Sequence, residues 1–432
     1  MEKKAKKNLV VLTEEPLKNI WARFSLRSIA RFRSVCKGWK LLIDSDIFRD
    51  HYLSLNSSSS SVSWSIMNNK NKTEIVGHHR CKRWGITKSL GSFITRYNPE
   101  TAVRKTCVLC CTDGLVLLYT ETMEGAPMYH VGNPLLQQWV QIPLPPHLSV
   151  YDLVRLQGNR YFNDNGLVTK MEKGIAVGYT VVWTLASGGV SKELTFMIYS
   201  SETGLWITKE VRCRRSLIWS RLAHTVPLNG ILHWLATIDN SSLDANYVVA
   251  YDFYNGGGDE CPIIPFPDIQ QFQGTRRFKR TLSTSAGFVV YCNVYSDSNG
   301  GERAIRVWRL VSTNENLNSW QLSWKVNTKG DVDYFPVVMH PINFDVIYLW
   351  SWNKNALVLF NLRTQKYRLH REAKKSKSMD GCILTFSNCK EYMDLIYPSF
   401  VNSMFHGSHY LFFSQYVLPR WLNPLPKPKL SS

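Results

Sequence analysis

The chain has 432 residues, of which 44% are hydrophobic and 12% aromatic, so most of it can build a folded core and is not disordered. Its formal net charge of +19 comes from lysines and arginines spread over the whole length, so we do not expect nucleic acid as its partner. No apolar run approaches the roughly 18 residues that cross a bilayer, and no secretory signal is recognisable, so we expect no membrane contact, reduced cysteines and a place in the nucleus and/or cytoplasm.

The first elements along the chain are helical. Residues 1–8 form a basic tail, and residues 9–55 follow with apolar residues at helical spacing. Three short helices are predicted from three apolar stripes, which are Leu17, Ile20, Trp21 and Phe24, then Ile29, Phe32, Val35 and Cys36, then Trp39, Leu42 and Ile43. So short a bundle has too little interior to bury all these side chains. Part of its apolar surface is therefore expected to contact a partner.

A polar joint separates these helices from the rest of the chain. The run NSSSSSVS at Asn56–Ser63 cannot bury enough surface to fold, so residues 56–74 are predicted to be a Ser-rich linker. Short apolar and aromatic runs with turn residues between them then occupy residues 75–418, and a Pro/Lys tail occupies residues 419–432. The long middle region is predicted to be almost entirely β.

Within that region, apolar strand pairs recur. Five units begin at Gly114, Gly174, Gly230, Gly287 and Asp345, roughly 55 to 60 residues apart, a period typical of four-stranded propeller blades. Strands from the 75–110 region and from Tyr410–Leu418 are expected to share a closing blade, which makes about six blades. Two packed β-sandwiches are the alternative architecture.

The N-terminal segment resembles an F-box. From Leu12 to Leu53 it matches the plant motif without gaps at Leu12, Glu14, Glu15, Leu17, Ile20, Arg23, Ser28, Arg31, Phe32, Arg33, Val35, Cys36, Lys37, Trp39, Leu42, Ile43 and Phe48. It departs from the usual motif at Thr13, Pro16, Trp21 and Ser25. The fold class expected is thus mainly β with a small α N-terminal domain, a three-helix F-box followed by a roughly six-bladed β-propeller.

The β region resembles the kelch-like F-box-associated domain of plant F-box proteins. The resemblance covers most of residues 107–400. The motifs that carry it are CCTDGLVLLY, VGNPLLQQWVQIPLPP, IYSSETGLWITKEV and PLNGILHWLA, in that order, and YVVAYDFYNGG, IRVWRL and LVLFNLRTQKY continue it. Each of these motifs is weak alone, but their order after an F-box is specific. Their turns and tryptophans are expected to build the scaffold.

The resemblance implies a function and a set of contacts. A protein of this family is a non-catalytic substrate receptor of an SCF-type ubiquitin ligase, whose F-box binds a Skp-type adaptor, and through it a cullin, while the propeller binds an unknown target protein. It implies no cofactor, no metal and no catalytic residue. The adaptor-binding residues it implies are Leu12, Thr13, Leu17, Ile20, Leu26, Ser28, Ile29, Phe32, Val35, Cys36, Trp39, Leu42 and Ile43.

Charge and loops complete this interpretation. The cations Arg31, Arg33, Lys37 and Lys40 are expected to form a polar rim that steers an acidic adaptor. Loops such as 158–173 and 240–246 are expected to carry target specificity. The alternative is a propeller that binds a glycan, small ligand or nucleic acid beside a degenerate F-box.

Catalytic and metal-binding patterns are weak in the sequence. Cys107, Cys110 and Cys111 contain half of a common zinc motif, but no second Cys or His pair follows at suitable spacing, so they are predicted to be buried thiols. The HHRC run at His78–Cys81 also lacks partners. No phosphate-binding loop or nucleophile elbow occurs in the sequence.

Overall fold

The structure is a computed structural model. It describes residues 14–56, 62–68, 74–78, 83–85, 93–94, 102–145, 165–185, 190–218, 225–238, 247–255, 258–268, 278–296, 303–312, 318–328, 334–351, 353–370, 382–384, 409–410, 413–422 and 424–428. The basic tail and the implied adaptor contacts Leu12 and Thr13 lie outside these ranges. None of the helices within them is long and apolar enough to cross a membrane.

The described N-terminal region folds into four helices rather than the three predicted. They are α1 Glu14–Trp21, α2 Leu26–Phe32, α3 Lys37–Asp44 and α4 Asp46–Leu55. The third predicted stripe lies on α3, which ends at the extended backbone of Ser45 (φ −72°, ψ 142°), and α4 after it was not predicted. The Ser45 hydroxyl donates to Leu42 O at 2.7 Å and accepts from Phe48 N at 3.2 Å, so one side chain caps two helices.

Strands arranged as the six blades of a β-propeller follow in the described part of the chain, which confirms the predicted fold class. Blade 1 contains β1 Trp64–Asn68, β2 Glu74–His78, β24 Cys382–Leu384 and β26 Phe413–Val417. Blade 2 contains β3 Val103–Thr112, β4 Leu115–Thr122, β5 Pro127–Asn133 and β6 Gln138–Ile142. Blade 3 contains β7 Asn165–Glu172, β8 Ile175–Leu185, β9 Val190–Ser200 and β10 Leu205–Ile218, and β14 Glu260–Cys261 pairs with β10.

The remaining blades follow in chain order. Blade 4 contains β11 Thr225–Leu228, β12 Ile231–Ile238, β13 Tyr247–Asp252 and β15 Ile263–Pro265. Blade 5 contains β16 Phe278–Ser285, β17 Phe288–Ser296, β18 Arg303–Ser312 and β19 Asn318–Asn327, and β25 His409–Tyr410 pairs with β16. Blade 6 contains β20 Tyr334–Met339, β21 Val346–Ser351, β22 Ala356–Asn361 and β23 Lys366–His370. A short pairing of β10 with β12 joins blades 3 and 4 into one sheet.

The five predicted repeat units are the second strands of blades 2 to 6. In blades 2 to 5 each of these strands follows a two-residue turn in which both residues have positive φ, between 46° and 83°, as at Asp113–Gly114. Two positive φ angles give the turn that matches the right-handed twist of a hairpin. At Gly114 a side chain would also be blocked, because a Cβ there would lie 2.5 Å from Pro419 Cδ.

Ring closure differs in part from the prediction. The C-terminal strand β26 lies in blade 1 as expected, paired with β1 in antiparallel register from Trp64↔Val417 to Asn68↔Phe413. Strand β2 at residues 74–78 also lies in blade 1 as expected, whereas β3 at residues 103–112 belongs to blade 2 and β1 lies inside the segment predicted as a linker. Trp64 and Ile66 are buried against Tyr348 of blade 6, so these residues are part of the propeller core rather than a solvated joint.

Apolar clusters fill the spaces between neighbouring blades. Blades 2 and 3 share one cluster, and further clusters lie between blades 3 and 4, 4 and 5, 5 and 6, and 6 and 1. Successive side chains of a strand point to opposite faces of its blade, so one strand contributes to the clusters on both sides. On β8 of blade 3, Val181 faces blade 2 and Val182 faces blade 4. The cluster between blades 1 and 2 is different, because it also contains the N-terminal helices.

The segment predicted as a C-terminal tail is packed. Trp421, Leu422 and Leu425 are buried, and the Trp84 indole donates to Pro419 O at 2.8 Å. Leu425 N donates to Gln138 Oε1 at 2.8 Å. The described residues 419–422 and 424–425 thus lie on the propeller, because Trp421 and Leu422 complete the cluster beneath the helices and Leu425 joins the cluster between blades 2 and 3.

The helices lie on one face of the ring, called here the helix-side face. The turn at 134–137 of blade 2 reaches them through Leu135 and Leu136, and the Lys173 amine lies 3.4 Å from Asp46 Oδ2. In an antiparallel blade the first and third turns share one face, and the second turn and the connection to the next blade share the opposite one. The opposite face, called here the far face, therefore carries the 123–126 turn of blade 2.

Candidate functional site

The helices and the propeller share one hydrophobic core. Its helical members include Trp21, Phe48 and Tyr52, each at most 4% exposed. The Trp421 ring packs on two of them, with centroids 5.9 Å from Phe48 and 5.0 Å from Tyr52. Three implied adaptor contacts, Leu26, Ile29 and Ile43, are also in this core and at most 1% exposed. For those three the sequence prediction is wrong, because the chain's own β domain covers them.

Two further implied contacts lie at helix caps. The Ser25 hydroxyl accepts from Ser28 N at 3.4 Å and lies 3.2 Å from the Ser28 hydroxyl at the start of α2. The Cys36 thiol accepts from Trp39 N at 3.4 Å at the start of α3. Both positions therefore have a structural role in the helices that the sequence prediction did not assign.

The remaining apolar residues form a surface that the propeller does not cover, called here the open face. Its members are Ile20, Phe24, Phe32, Val35 and Trp39. Ile20 and Phe24 are each 45% exposed and Val35 is 61% exposed. The Phe32 ring joins the others, with centroids 5.5 Å from Phe24 and 5.9 Å from Trp39. Trp39 in turn packs against the buried Trp21 at 4.7 Å, so the open face stands on the shared core.

The open face agrees only partly with the implied residue set. It brings together four implied contacts, Ile20, Phe32, Val35 and Trp39, while Leu17 and Leu42 are half-buried at its base. Phe24 was not in the implied set, although its spacing of four residues from Ile20 puts it on the same stripe of α1. Leu41 and Ile47, 74% and 70% exposed, are apolar positions that the helical stripes did not include.

The cations around these helices divide into paired and unpaired ones. Arg33 Nε and Nη2 donate to the two carboxylate oxygens of Asp44 at 2.6 and 3.0 Å, which joins α2 to the end of α3. Arg33 therefore forms a salt bridge between two helices, and it is not the free charge for attracting an adaptor that was expected from the sequence. Lys37 and Lys40 are exposed and form no ion pair within the described ranges, so they remain available to a partner.

Within the described residues, side chains fill the centre of the propeller. Gln415 on β26 links blades 1, 5 and 6 there, because its side chain accepts from Thr284 N and Thr284 Oγ1, both at 2.9 Å, and donates to Met339 O at 2.9 Å. The space left beside Cys110 and Ser414 is about 30 Å³. That is room for about one water, and not for a sugar.

The cysteines of the CVLCC run are buried, as predicted. Cys107, Cys110 and Cys111 are at most 6% exposed within the blade 2 strand β3. Burial raises the pKa of the Cys110 thiol to about 11, so it remains protonated and behaves as a small apolar group. Among the described residues, no group of three or more His, Cys, Asp or Glu side chains is placed to hold a metal ion.

The two segments expected to carry target specificity have different outcomes. Residues 165–172 of the 158–173 segment form β7, an inner strand with buried Val168, so this part is not a loop. Residues 158–164 and the whole 240–246 segment lie outside the described residues, as do residues 79–81 of the HHRC run. The target-binding residues therefore remain unassigned.

Comparison with known protein families gives two matches that together cover most of the chain. Residues 10–51 match the F-box domain, and residues 62–427 match the family described as F-box protein At3g26010-like, beta-propeller. The boundary between these matches agrees with a propeller that starts at β1.

Relatives from Arabidopsis thaliana match along nearly their whole length. A protein whose name describes it as a putative F-box protein, At3g23950, is 49% identical over 96% of this chain and 98% of its own. A second, At3g23970, is 48% identical over 95% and 98%. F-box protein At3g26010 is 34% identical over 96% of this chain and 91% of its own.

Proposed function

The chain belongs to the plant F-box proteins that carry an At3g26010-like β-propeller, and from this premise we propose that it is the substrate-recognition subunit of an SCF-type ubiquitin ligase. In this proposal the helices bind a Skp-type adaptor and through it a cullin, and the propeller binds a target protein. The observation that carries it is the open face, an exposed aromatic and aliphatic surface on the helices that match the F-box.

The open face has the composition of a binding surface. Aromatic side chains at the centre with charged residues around them are typical of protein interfaces. Each large apolar side chain that a partner covers contributes on the order of 1.5–3 kcal/mol. Ile20, Phe24 and Val35 are roughly half or more exposed, so burying them on a partner supports an adaptor complex. The alternative of a vestigial F-box does not explain why these positions are apolar.

The far face of the propeller is the proposed target site. It points away from the helices, so a target bound there does not compete with an adaptor bound to the open face. The closed centre of the ring supports a protein target rather than a small ligand held in the channel. Exposed Met123, at 60%, lies in the far-face turn between β4 and β5.

The proposed mechanism is proximity. A receptor that holds both the adaptor and the target raises the effective concentration of a target lysine near the ubiquitin carrier. The bond-making chemistry then belongs to other subunits, so the chain is proposed to be non-catalytic. Its proposed place in the cell is the nucleus and/or the cytoplasm, where such complexes act on intracellular targets.

The test measures binding of the purified full chain to a plant Skp-type adaptor by isothermal titration calorimetry. We expect a 1:1 complex, and we expect the substitutions Phe24→Asp and Val35→Asp each to weaken it at least tenfold. Both positions are exposed, so the variants are expected to keep the fold.

The matched control is Ile207→Asp on β10, which makes the same apolar-to-acidic change at a 58% exposed position of blade 3. It should bind the adaptor as the unaltered chain does. If the unaltered chain does not bind the adaptor even at low salt, the ligase proposal fails for this protein.

A further inference from the structure

A cleft of about 580 Å³ lies between α2 and the propeller. One wall is the α2 side with Arg27, Ala30 and Arg31, which follow one another at i, i+3 and i+4 and so share a helix face. The opposite wall comes from Leu136 of the blade 2 turn and Ile175 of blade 3. The helices and the propeller approach each other here, but their side chains do not fill the space between them.

The apolar part of the cleft is continuous. Leu135, Leu136 and Ile175 are half-buried, and Trp421 and Leu422 of the C-terminal segment close the floor. These side chains pack against the shared core from below, so their position is fixed by the fold. A ligand with an apolar group would remove this surface from water and gain free energy in proportion to the area buried.

The net charge of the cleft lining is positive. Arg33 and Asp44 both line it but neutralise each other through their paired hydrogen bonds. Arg27 and Arg31 are exposed at its rim and have no acidic partner in the described ranges. Two guanidinium groups one helical turn apart present a fork of donors to carboxylates. The cleft thus combines an apolar floor with an unneutralised pair of cations.

We propose that this cleft is a docking site for a peptide segment that carries acidic residues beside a large apolar side chain. The apolar residue enters between Ala30 and Leu136, and the carboxylates pair with Arg27 and Arg31. The identification of that peptide as part of a ubiquitination target rests on the proposed function; the binding does not.

Two features separate this site from the open face. On α2 the cleft residues Arg27 and Arg31 point about 100° or more away from Phe32 of the open face, because each helical residue turns by about 100°. The buried Leu26 and Ile29 lie between the two surfaces on the core side. An adaptor on the open face therefore leaves the cleft accessible.

Other occupants fit less well. The chain's own N-terminal segment contains four lysines in residues 1–8, so Arg27 and Arg31 would repel it. A nucleic acid would pair with the arginines but would leave the floor of Leu135, Ile175 and Trp421 without an apolar partner. The two unpaired arginines and the apolar floor of the cleft together favour an acidic peptide that carries an apolar residue.

The test is a selection of random 12-residue peptides displayed on phage, with the full chain as bait and the variant Arg27→Glu/Arg31→Glu for counter-selection. Selected peptides are then synthesised and measured by fluorescence anisotropy. We expect sequences with at least two acidic residues beside Leu, Phe or Trp. We expect them to bind the unaltered chain at least tenfold more tightly than the double variant, with Arg27→Gln/Arg31→Gln in between.

The matched control is Lys192→Glu/Lys366→Glu, which makes the same charge change at exposed propeller positions that line neither the cleft nor the open face. It should bind the selected peptides like the unaltered chain, and replacing their acidic residues by Gln should abolish binding. The inference is overturned if no peptide discriminates against Arg27→Glu/Arg31→Glu, or if the enriched peptides are neutral or basic. It is also overturned if random duplex DNA displaces the peptide at physiological salt, because the site would then recognise polyanions.

Adaptor binding is measured on the same proteins. Discrimination of peptides with no adaptor binding would refute the proposed function and leave the cleft site standing. Normal adaptor binding without peptide discrimination would refute the cleft site alone.

Discussion

The Trp421 ring packs edge-on against Phe48, with centroids 5.9 Å apart, although the two residues come from opposite ends of the described chain. This contact joins α4 to the segment that follows the last propeller strand. The N-terminal helices and the propeller are therefore one packed unit, and their relative orientation is set by side-chain packing instead of a flexible linker.

Replacing Trp421 by Ala should destabilise both parts together. A buried Trp→Ala change leaves a cavity and costs on the order of 3–5 kcal/mol. We expect this loss in the free energy of unfolding measured by urea denaturation. Leu205→Ala, at a 53% exposed position of blade 3, should change it by less than about 0.5 kcal/mol. Equal, small effects of the two substitutions would contradict the shared core.

Removing the buried carboxylate between blades 4 and 5 should lower the stability of the fold. Asp268 and Arg280 are at most 1% exposed, with Arg280 Nη2 3.4 Å from Asp268 Oδ1. Asp268 Oδ2 also accepts from Tyr291 Oη at 2.7 Å and from Asn293 Nδ2 at 2.6 Å. Asp268→Ala removes the buried carboxylate that Arg280, Tyr291 and Asn293 share, so we expect a loss of about 3–5 kcal/mol in the free energy of unfolding.

The control for this buried pair is Glu193→Ala, which removes the partner of Arg212 at the surface, where both side chains are more than half exposed. It should cost less than about 1 kcal/mol. If Asp268→Ala is as mild as Glu193→Ala in the same denaturation experiment, the buried network does not stabilise the fold.

Stability should fall in mild acid. Burial lowers the pKa of His130 and of His233 to about 4, from an ordinary value of 6.5. As pH decreases, the histidines of the unfolded chain become protonated before those of the folded chain. The free energy of unfolding is therefore at its full value above about pH 6.5 and falls between about pH 6.5 and pH 4. Each histidine accounts for up to about 3 kcal/mol of this loss.

His233→Gln tests the acid effect at one site. The ring Nδ1 donates to Val226 O at 3.1 Å, so the other nitrogen is unprotonated in the fold. The variant should be less stable at pH 7 but should lose less free energy of unfolding between pH 7 and pH 4.5 than the unaltered chain, as followed by denaturation at each pH. Parallel pH profiles for the two proteins would show that His233 titrates normally.

The unpaired lysines of α3 should affect the rate of adaptor binding more than its strength. We propose that the adaptor presents acidic residues to these lysines, and exposed charges at an interface edge mainly change association rates. We expect Lys37→Glu/Lys40→Glu to slow association several-fold in stopped-flow measurements at low salt, with the difference shrinking as salt rises. Arg33→Ala should slow it less, because Asp44 already neutralises Arg33. The opposite ranking would restore Arg33 as a steering charge.

The repeated part of the fold could be predicted because each unit carries a local signal. Gly114, Gly174, Gly230 and Gly287 mark the turns before the second strands, since both turn residues have positive φ and the second is glycine. Strand β26 also had a clear apolar pattern. These signals depend on residues next to one another in sequence, which is why they can be read without the structure.

The remaining features depend on long-range packing. Strand β1 is five residues long and adjoins the serine run, and it depends on pairing with the distant β26 and on packing against blade 6. The amphipathic spacing of the helices predicts an apolar surface, but it does not tell whether the propeller or a partner protein covers each residue. The propeller covers Leu26, Ile29 and Ile43, whereas Ile20, Phe24 and Val35 remain open. The cleft beside Arg27 could not be predicted, because its walls come from three distant segments.

The late position of Trp421 and Leu422 in the chain has a consequence for biosynthesis. Both residues complete the core beneath helices that leave the ribosome more than 360 residues earlier. At ordinary translation speeds of 5–20 residues per second, that interval is roughly 20 to 70 s. Throughout it the rings of Phe48 and Tyr52 lack the Trp421 ring that packs on them in the finished fold, so the nascent protein exposes apolar surface at this place until synthesis ends.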